Sequence, residues 1–418
     1  MRPWIDRKST TSGDTPTRLL LVVWLRPLWF LVYRVIIIVR IIYVLPMESF
    51  FTIGRCGRVS HAIGVADTLA EQGTDVTVIS GPQTGEHIRH AKVIEVKRGD
   101  ARSWYAAMSA ELDRLLEDKP EQTTAVIVRY RVSNAVRFIS RMRNRHPSRA
   151  WCFEVNSLAY HQYPGLPGPI RRLVLSIEAR LVGQADCSYL ISDVLRQDIE
   201  PRVRDGHRCL VVPNGGPAPV QLSPSAPDAV FRFVFFGMLH HYNHLDVMID
   251  GFLHARGQGL DAELHIYGDG EKFSQVVGMA KQDVNIHVHG RYNLNELLNS
   301  DLTDSACVLL LPFGDSEGLN RVQSPIKLFE YMATGLPIIA SDMSQVRVTL
   351  NNSNSAMLVD PRSAEAWGEA MLELKSSASA RAAMSREIRK SYPLYTWEHR
   401  VVQLQEGLKK LFLEPVGI

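Results

Sequence analysis

Residues 324–337, SPIKLFEYMATGLP, constrain the fold more tightly than any other stretch of this chain. Ser324 is a favoured N-cap and Pro325 suits the first helical position. Ile326, Phe329 and Ala333 recur at helical spacing as an apolar stripe. Gly335 followed by Pro337 is a stop signal. A strand-like run, 307–313 (CVLLLPF), precedes the helix, and 337–341 (PIIAS) follows it. The unit is therefore strand–loop–helix–strand, with the helix N-terminus at the carboxyl end of a buried strand. Such an end presents unbonded backbone N–H groups and a positive dipole, which suit an anion. Lys327 in the first turn opposes that dipole by roughly 0.3–1 kcal/mol unless an anion is bound. Glu330 lies on the same side as Lys327, where a carboxylate accepts hydrogen bonds from sugar hydroxyls. A solvated Lys–Glu pair on an ordinary helix is an equal reading of these residues alone.

The rest of the chain repeats this alternation. Residues 40–45 form a strand, and a loop with Gly54 and Gly57 follows. Val59, Ile63, Ala66 and Ala70 line one helix face, which Gly73 ends. Further strands are expected at 75–80, 125–128, 151–155 and 210–213. Residues 215–230 contain Pro217, Pro219, Pro224 and Pro227 and read as a linker. A second series starts at 231–237 (FRFVFFG) and continues at 262–267, 284–289, 307–313, 337–341 and 356–359. Alternating strands and helices predict an α/β protein with two doubly wound, Rossmann-like domains facing across a cleft. The expected boundaries are 39–214 for a first domain and 231–394 for a second, with 395–418 as a last helix. Residues 1–38 form a separate apolar and basic segment. Arg26, Pro27 and Arg34 interrupt its apolar run below the length of a spanning helix. Two readings stand for it: a membrane-surface segment, or a start upstream of a functional chain beginning near Val39.

Of 418 residues, 45% are hydrophobic and 22% charged, as in ordinary globular proteins. A net charge of +3 is too small to argue for nucleic acid. Five widely spaced cysteines without a C-x-x-C fit reduced thiols and a cytoplasmic location, and speak against a structural zinc site. Arg129 and Arg131 follow a strand, and Arg137, Arg141 and Arg145 recur on the next helix. Arg171 and Arg172 open another. This basic face suits an anionic membrane or lipid diphosphate, or is simply a solvated surface.

Motifs along the chain resemble family 4 glycosyltransferases, the group 1 type with the GT-B fold. SPIKLFEYMATGLPIIASD is similar to their C-terminal signature and GRCGRVSHAIGVADTLAEQG to their glycine-rich first loop. CFEVNS, VVPNG, FVFFG, HIYGDG, HVHGRY and Tyr395-Thr396-Trp397 fall in the family's order. The similarity covers about residues 39–412, and it implies that 39–214 is the acceptor-binding domain, with 395–418 packing back on it, and 231–394 the nucleotide-sugar-binding domain. It implies transfer with retention from a nucleotide diphosphate sugar, UDP- or GDP-linked, to a glycan or lipid-linked acceptor, with no cofactor and no metal required. It implies a setting in surface polysaccharide or glycolipid synthesis, peripheral on the inner face of the plasma membrane. A non-catalytic nucleotide-sugar-binding scaffold and a nucleotide-sugar epimerase stand as alternatives.

By the resemblance, backbone N–H groups of Ile326, Lys327 and Leu328, after Ser324 and Pro325, hold the diphosphate. The Lys327 ammonium neutralises the leaving group. Glu330 binds ribose, and Gly57 and Gly237 let backbone approach the phosphates. Arg291 and Tyr292 contact the base. His61, at the start of the first helix, is a catalytic candidate facing the cleft. Glu154, Asn156 and Arg131 are acceptor candidates. The family's first glutamate, eight residues before Glu330, is Val322 here. Glu317, Gly318, Leu319 and Asn320 are therefore the candidates for holding the sugar. The Arg and Lys common after the second domain's first strand are also absent, which leaves Lys327 and a histidine of His240-His241 to meet the phosphates.

Overall fold

The computed structural model describes residues 40–46, 57–97, 101–224, 226, 229–298, 302, 306–314, 319–350 and 354–413. The expectations for 1–38 fall outside them. Apolar runs short enough for strands, separated by helices, build two wholly parallel sheets. The first has the order β3-β2-β1-β4-β5-β6-β7. Its strands are β1 (Arg40–Val44), β2 (Val76–Ser80), β3 (Lys92–Glu95), β4 (Thr124–Arg129), β5 (Ala150–Val155), β6 (Cys187–Leu190) and β7 (Arg208–Val211). The second has the order β10-β9-β8-β11-β12-β13. It contains β8 (Arg232–Phe236), β9 (Glu263–Tyr267), β10 (Ile286–Gly290), β11 (Cys307–Leu311), β12 (Ile338–Ser341) and β13 (Met357–Val359).

In both sheets the strand order reverses beside the first strand, between β1 and β4 and between β8 and β11. Successive crossovers leave in opposite directions there, so a crevice opens at the carboxyl ends of the strands. Tyr331 marks the second crevice. Its hydroxyl accepts from Phe236 N at 3.1 Å and lies 3.2 and 3.1 Å from the Phe236 and Leu310 carbonyls. A buried phenol thus serves backbone groups of β8 and β11 just where the ladder ends.

Five helices position the site: α1 (Gly57–Glu71), α2 (Gly168–Val182), α3 (Leu319–Val322), α4 (Ile326–Thr334) and α5 (Trp397–Leu413). Helix α5 packs on α1. Gly64 makes room for it, because a Cβ there would lie 2.2 Å from Trp397 Cε2. Gln405 Nε2 donates to Thr74 Oγ1 at 2.6 Å and Arg208 Nη1 to Lys410 O at 3.2 Å. The C-terminal helix therefore returns to the first sheet.

Helix α3 lies between the two sheets. Val322 is fully buried in the apolar cluster under the first sheet, although its neighbours in sequence serve the second. Ser192 Oγ donates to its carbonyl at 2.8 Å. The position where the family's first glutamate would fall is thus occupied by a side chain that must be apolar. An unpaired carboxylate there would carry a desolvation cost of several kcal/mol. Among the described residues, no helix is long and apolar enough to cross a membrane. The four described cysteines carry no disulfide.

Candidate functional site

Helix α4 starts one residue later than the sequence suggests. Pro325 is the residue before it, with φ −75° and ψ 99°, and Ile326 is the first helical residue. Ser324 is therefore not the N-cap. Its hydroxyl accepts from Asn214 N at 2.9 Å, and its carbonyl accepts from Asn214 Nδ2 at 2.5 Å. The N–H of Leu328 is taken by the Pro325 carbonyl at 3.0 Å, so it does not point at a ligand, contrary to expectation. Ile326 and Lys327, at the first two helical positions, precede the first intrahelical donors. At the far end Gly335 adopts φ +67° and closes the helix in the left-handed conformation.

The Lys327 side chain lies over the end of β8. Its Nζ donates to Met238 O at 3.2 Å and sits 5.0 Å from the Phe235 ring centroid. Gly237 makes this path available. Its φ is +147°, and a Cβ would fall 2.1 Å from Lys327 Cε. Burial drives the Lys327 pKa from 10.5 down to about 8, against an opposing pull upward from the Glu330 carboxylate. His240, on the loop after Gly237, has its pKa lowered by burial first and then by Lys327. An anion bound there would offset the desolvation of the Lys327 ammonium and favour protonation of His240. Gly57, the first residue of α1, points its α-carbon at Ile326, where a Cβ would lie 3.8 Å from Cδ1. The N-termini of α1 and α4 therefore meet, and the structure brings Gly57, Gly237, Ile326, Lys327 and Glu330 together. Gly237→Ala is expected to displace the Lys327 side chain and strain the backbone. Nucleotide affinity should fall by an order of magnitude or more, as read by calorimetric titration, while the secondary structure seen by circular dichroism is kept.

The other candidates scatter. Arg291 is 90% exposed and pairs with Asp269 at 2.8 Å. Tyr292 packs edge-on against Phe236 and Tyr267, with centroids 6.0 and 6.3 Å away. Arg131 is exposed, while Asn320 is buried at the start of α3. Glu317 and Gly318 lie outside the described residues, as does the Leu319 side chain.

His61 and Glu154 depart most from expectation. His61 is 2% and Glu154 0% exposed, so neither lines an open cleft. His61 Nε2 faces Glu154 Oε1 at 3.1 Å, and Nδ1 lies 2.5 Å from Asn214 Oδ1. Arg129 Nη1 donates to Glu154 at 2.7 Å, Asn156 Nδ2 at 2.5 Å, and the Tyr43 hydroxyl donates to its second oxygen. Burial alone would raise the Glu154 pKa, but His61 and Arg129 hold it well below the usual carboxylate range. The buried ring is thus turned to Glu154 and Asn214 rather than to an open cleft. Glu154 and Asn156 serve this cluster, and Arg129 belongs to it rather than to a basic surface. The chain Arg129–Glu154–His61–Asn214–Ser324 runs from β4 of the first sheet to the residue two places before α4. Asn214 and Arg400, whose Nε donates to Asn214 O at 3.2 Å, were not identified from sequence. Pro213-Asn214-Gly215 reads as a plain turn, and nothing local shows that its amide is buried.

Two Rossmann-like sheets with their crevices turned to one helix-N-terminal site define the GT-B architecture. The family model described as "Glycosyl transferase 4-like domain" matches residues 59–215. That described as "Glycosyl transferases group 1" matches residues 230–377. The chain belongs to the group 1, family 4-type glycosyltransferases. D-inositol 3-phosphate glycosyltransferase from Corynebacterium urealyticum is 30% identical over 82 residues, which are 20% of this chain and 19% of that protein. The match thus spans about a fifth of this curated relative. Sucrose-phosphate synthase from Thermosynechococcus elongatus superposes with a TM-score of 0.66 at 15% identity, over 90% of this chain and 99% of that one. Anabaena HepE in complex with UDP-glucose gives 0.61 at 14% identity, over 89% and 100%. Likeness at that level of identity concerns the fold.

Proposed function

We propose that this chain transfers a sugar, with retention, from a UDP- or GDP-linked donor to a glycan or lipid-linked acceptor. The observation that carries the reading is Lys327, half-buried at the N-terminus of α4, laid across Gly237 and opposite the N-terminus of α1. A diphosphate placed there meets an ammonium and backbone N–H groups as charge develops on the departing nucleotide. Charge stabilisation of that kind needs neither cofactor nor metal. Glu330, one turn on, is placed for ribose hydroxyls. The UDP-glucose of HepE is the ligand type that such a site would take.

A peripheral membrane setting is the finer part of the proposal. Helix α2 leaves Ile170, Leu173 and Ile177 48%, 60% and 48% exposed, next to Arg171 and Arg172. Apolar side chains at helical spacing with flanking arginines suit the surface of an anionic bilayer that carries a lipid-linked acceptor.

The test is thermal melting with UDP, GDP and their sugars. One nucleotide is expected to raise the melting temperature of the wild-type chain selectively, and radiolabelled transfer into a lipid or glycan fraction should follow with its sugar. A folded protein that responds to no nucleotide would remove the donor-site assignment.

A further inference from the structure

On the strands farthest from the β11 side of the second sheet, polar side chains collect on one face. Glu263, His265 and Tyr267 alternate along β9, and their backs, Leu264 and Ile266, are buried in the core. Strand β10 pairs in parallel with His287 opposite His265. Its His287 and His289 therefore share that face. Side chains two apart on one strand, joined by a cross-strand neighbour, place three side-chain heads within reach of one point.

We infer that Glu263, His265 and His287 form a binding site for one divalent transition-metal ion of the zinc class. One ligand atom from each residue lies within 4.8 Å of the others. His265 Nε2 is 2.8 Å from Glu263 Oε2, and His287 Nε2 is 3.8 Å from Glu263 Oε1. Zinc bonds of about 2.0–2.2 Å put tetrahedral ligand atoms roughly 3–4 Å apart. Two spacings are near that range, and rotation of the part-exposed His287 ring closes the third. The remaining nitrogen of His265, Nδ1, lies 3.0 Å from His289 Nε2. A metal-bound histidine uses such a contact to fix its tautomer and ring plane. His289 is held in turn, stacked on Tyr267 with centroids 4.1 Å apart and 6° between planes. A hydrogen-bonded polar ladder alone would not need two imidazoles and a carboxylate gathered around one point with an orienting partner behind. The ion would tie the edge strand β10 to β9, just ahead of the loop bearing Arg291 and Tyr292. Its role is structural and independent of the donor-site reading.

The test uses the untagged full chain dialysed against chelator. Zinc titration by calorimetry is expected to show one site of micromolar affinity, cobalt(II) should develop the visible absorption of a low-coordinate site, and zinc should raise the melting temperature. His287→Gln, at a part-exposed position that leaves the core intact, is expected to weaken binding at least tenfold and to remove the melting shift. A wild-type chain that takes up no ion at micromolar concentrations overturns the inference. So does a His287→Gln chain, shown folded by circular dichroism, that binds like wild type.

Discussion

Lys327→Met is expected to weaken nucleotide binding strongly, though measurably, and to leave the unliganded protein at least as stable as before. The two effects have one origin. In the free protein the ammonium is held out of water with only partial compensation, which is why its pKa falls from 10.5 to about 8. Between those values the unfolded chain binds more protons than the folded one, so stability rises with pH across that window. Below about pH 8 the full penalty is present, roughly 3 kcal/mol or less for a side chain with residual solvent contact. Methionine fills much of the same space over Phe235 and Gly237 without the charge. Denaturant melts at pH 7 should therefore show the variant equal to or more stable than wild type. With a diphosphate in place the balance reverses, and loss of one charged donor to the leaving group costs roughly 100- to 1,000-fold in kcat/KM.

The same linkage sets the pH dependence of binding. Wild-type affinity for a nucleoside diphosphate should be flat between about pH 7 and pH 8, because the ammonium is already present and the terminal phosphate is largely ionised there. Above it, affinity should weaken by about tenfold per unit, with proton uptake on binding, since the ligand must restore the charge. Calorimetry in buffers of different ionisation enthalpy measures both. A slope that persists in Lys327→Met would assign the titration to another group.

How much of this was legible in the sequence depends on where each signal lives. Apolar runs gave most strands within a residue or two, because a strand buried on both faces must be apolar. Strand β3, KVIE, was missed because it is a polar edge strand. Strand β6, CSYL, was missed because its Ser188 is buried yet satisfied, 3.0 Å from His207 Nε2. The donor-site helix was readable because caps, stripe and stop are local. Its start was misplaced by one residue because Ser324 is recruited by Asn214, 110 positions away. His61 and Glu154 show the limit most clearly. A histidine at a helix start and a glutamate at a strand end look exposed in sequence. Distant packing buries them: Tyr189 of β6 and Trp397 of α5 lie 5.9 and 5.5 Å from the His61 ring, and Tyr43 and Arg129 close on Glu154.

That burial makes Glu154→Gln the substitution with the largest expected effect on stability. The carboxylate is the common partner of Arg129, His61, Asn156 and Tyr43. Glutamine keeps the shape but removes the charge that faces a guanidinium only 12% exposed and a buried imidazole. Breaking a buried pair from one side costs about 3–5 kcal/mol, measured here as the loss in unfolding free energy at pH 7. The acid limb gives the sign. The folded pKa of Glu154 lies below its unfolded value, so its contribution is complete above about pH 4.5 and is lost as pH falls through the folded pKa. Wild type should lose stability on that limb, and Glu154→Gln should lose less of it. Arg129→Met added to Glu154→Gln should recover part of the deficit, because the cation that faced the lost carboxylate goes with it. If Glu154→Gln instead unfolds like wild type at pH 7, the cluster does not hold the two halves together and Ser324 is anchored by Asn214 alone. If it is destabilised, nucleotide affinity should fall with it. The reason is that Asn214, which fixes the approach to α4, takes its own position from His61.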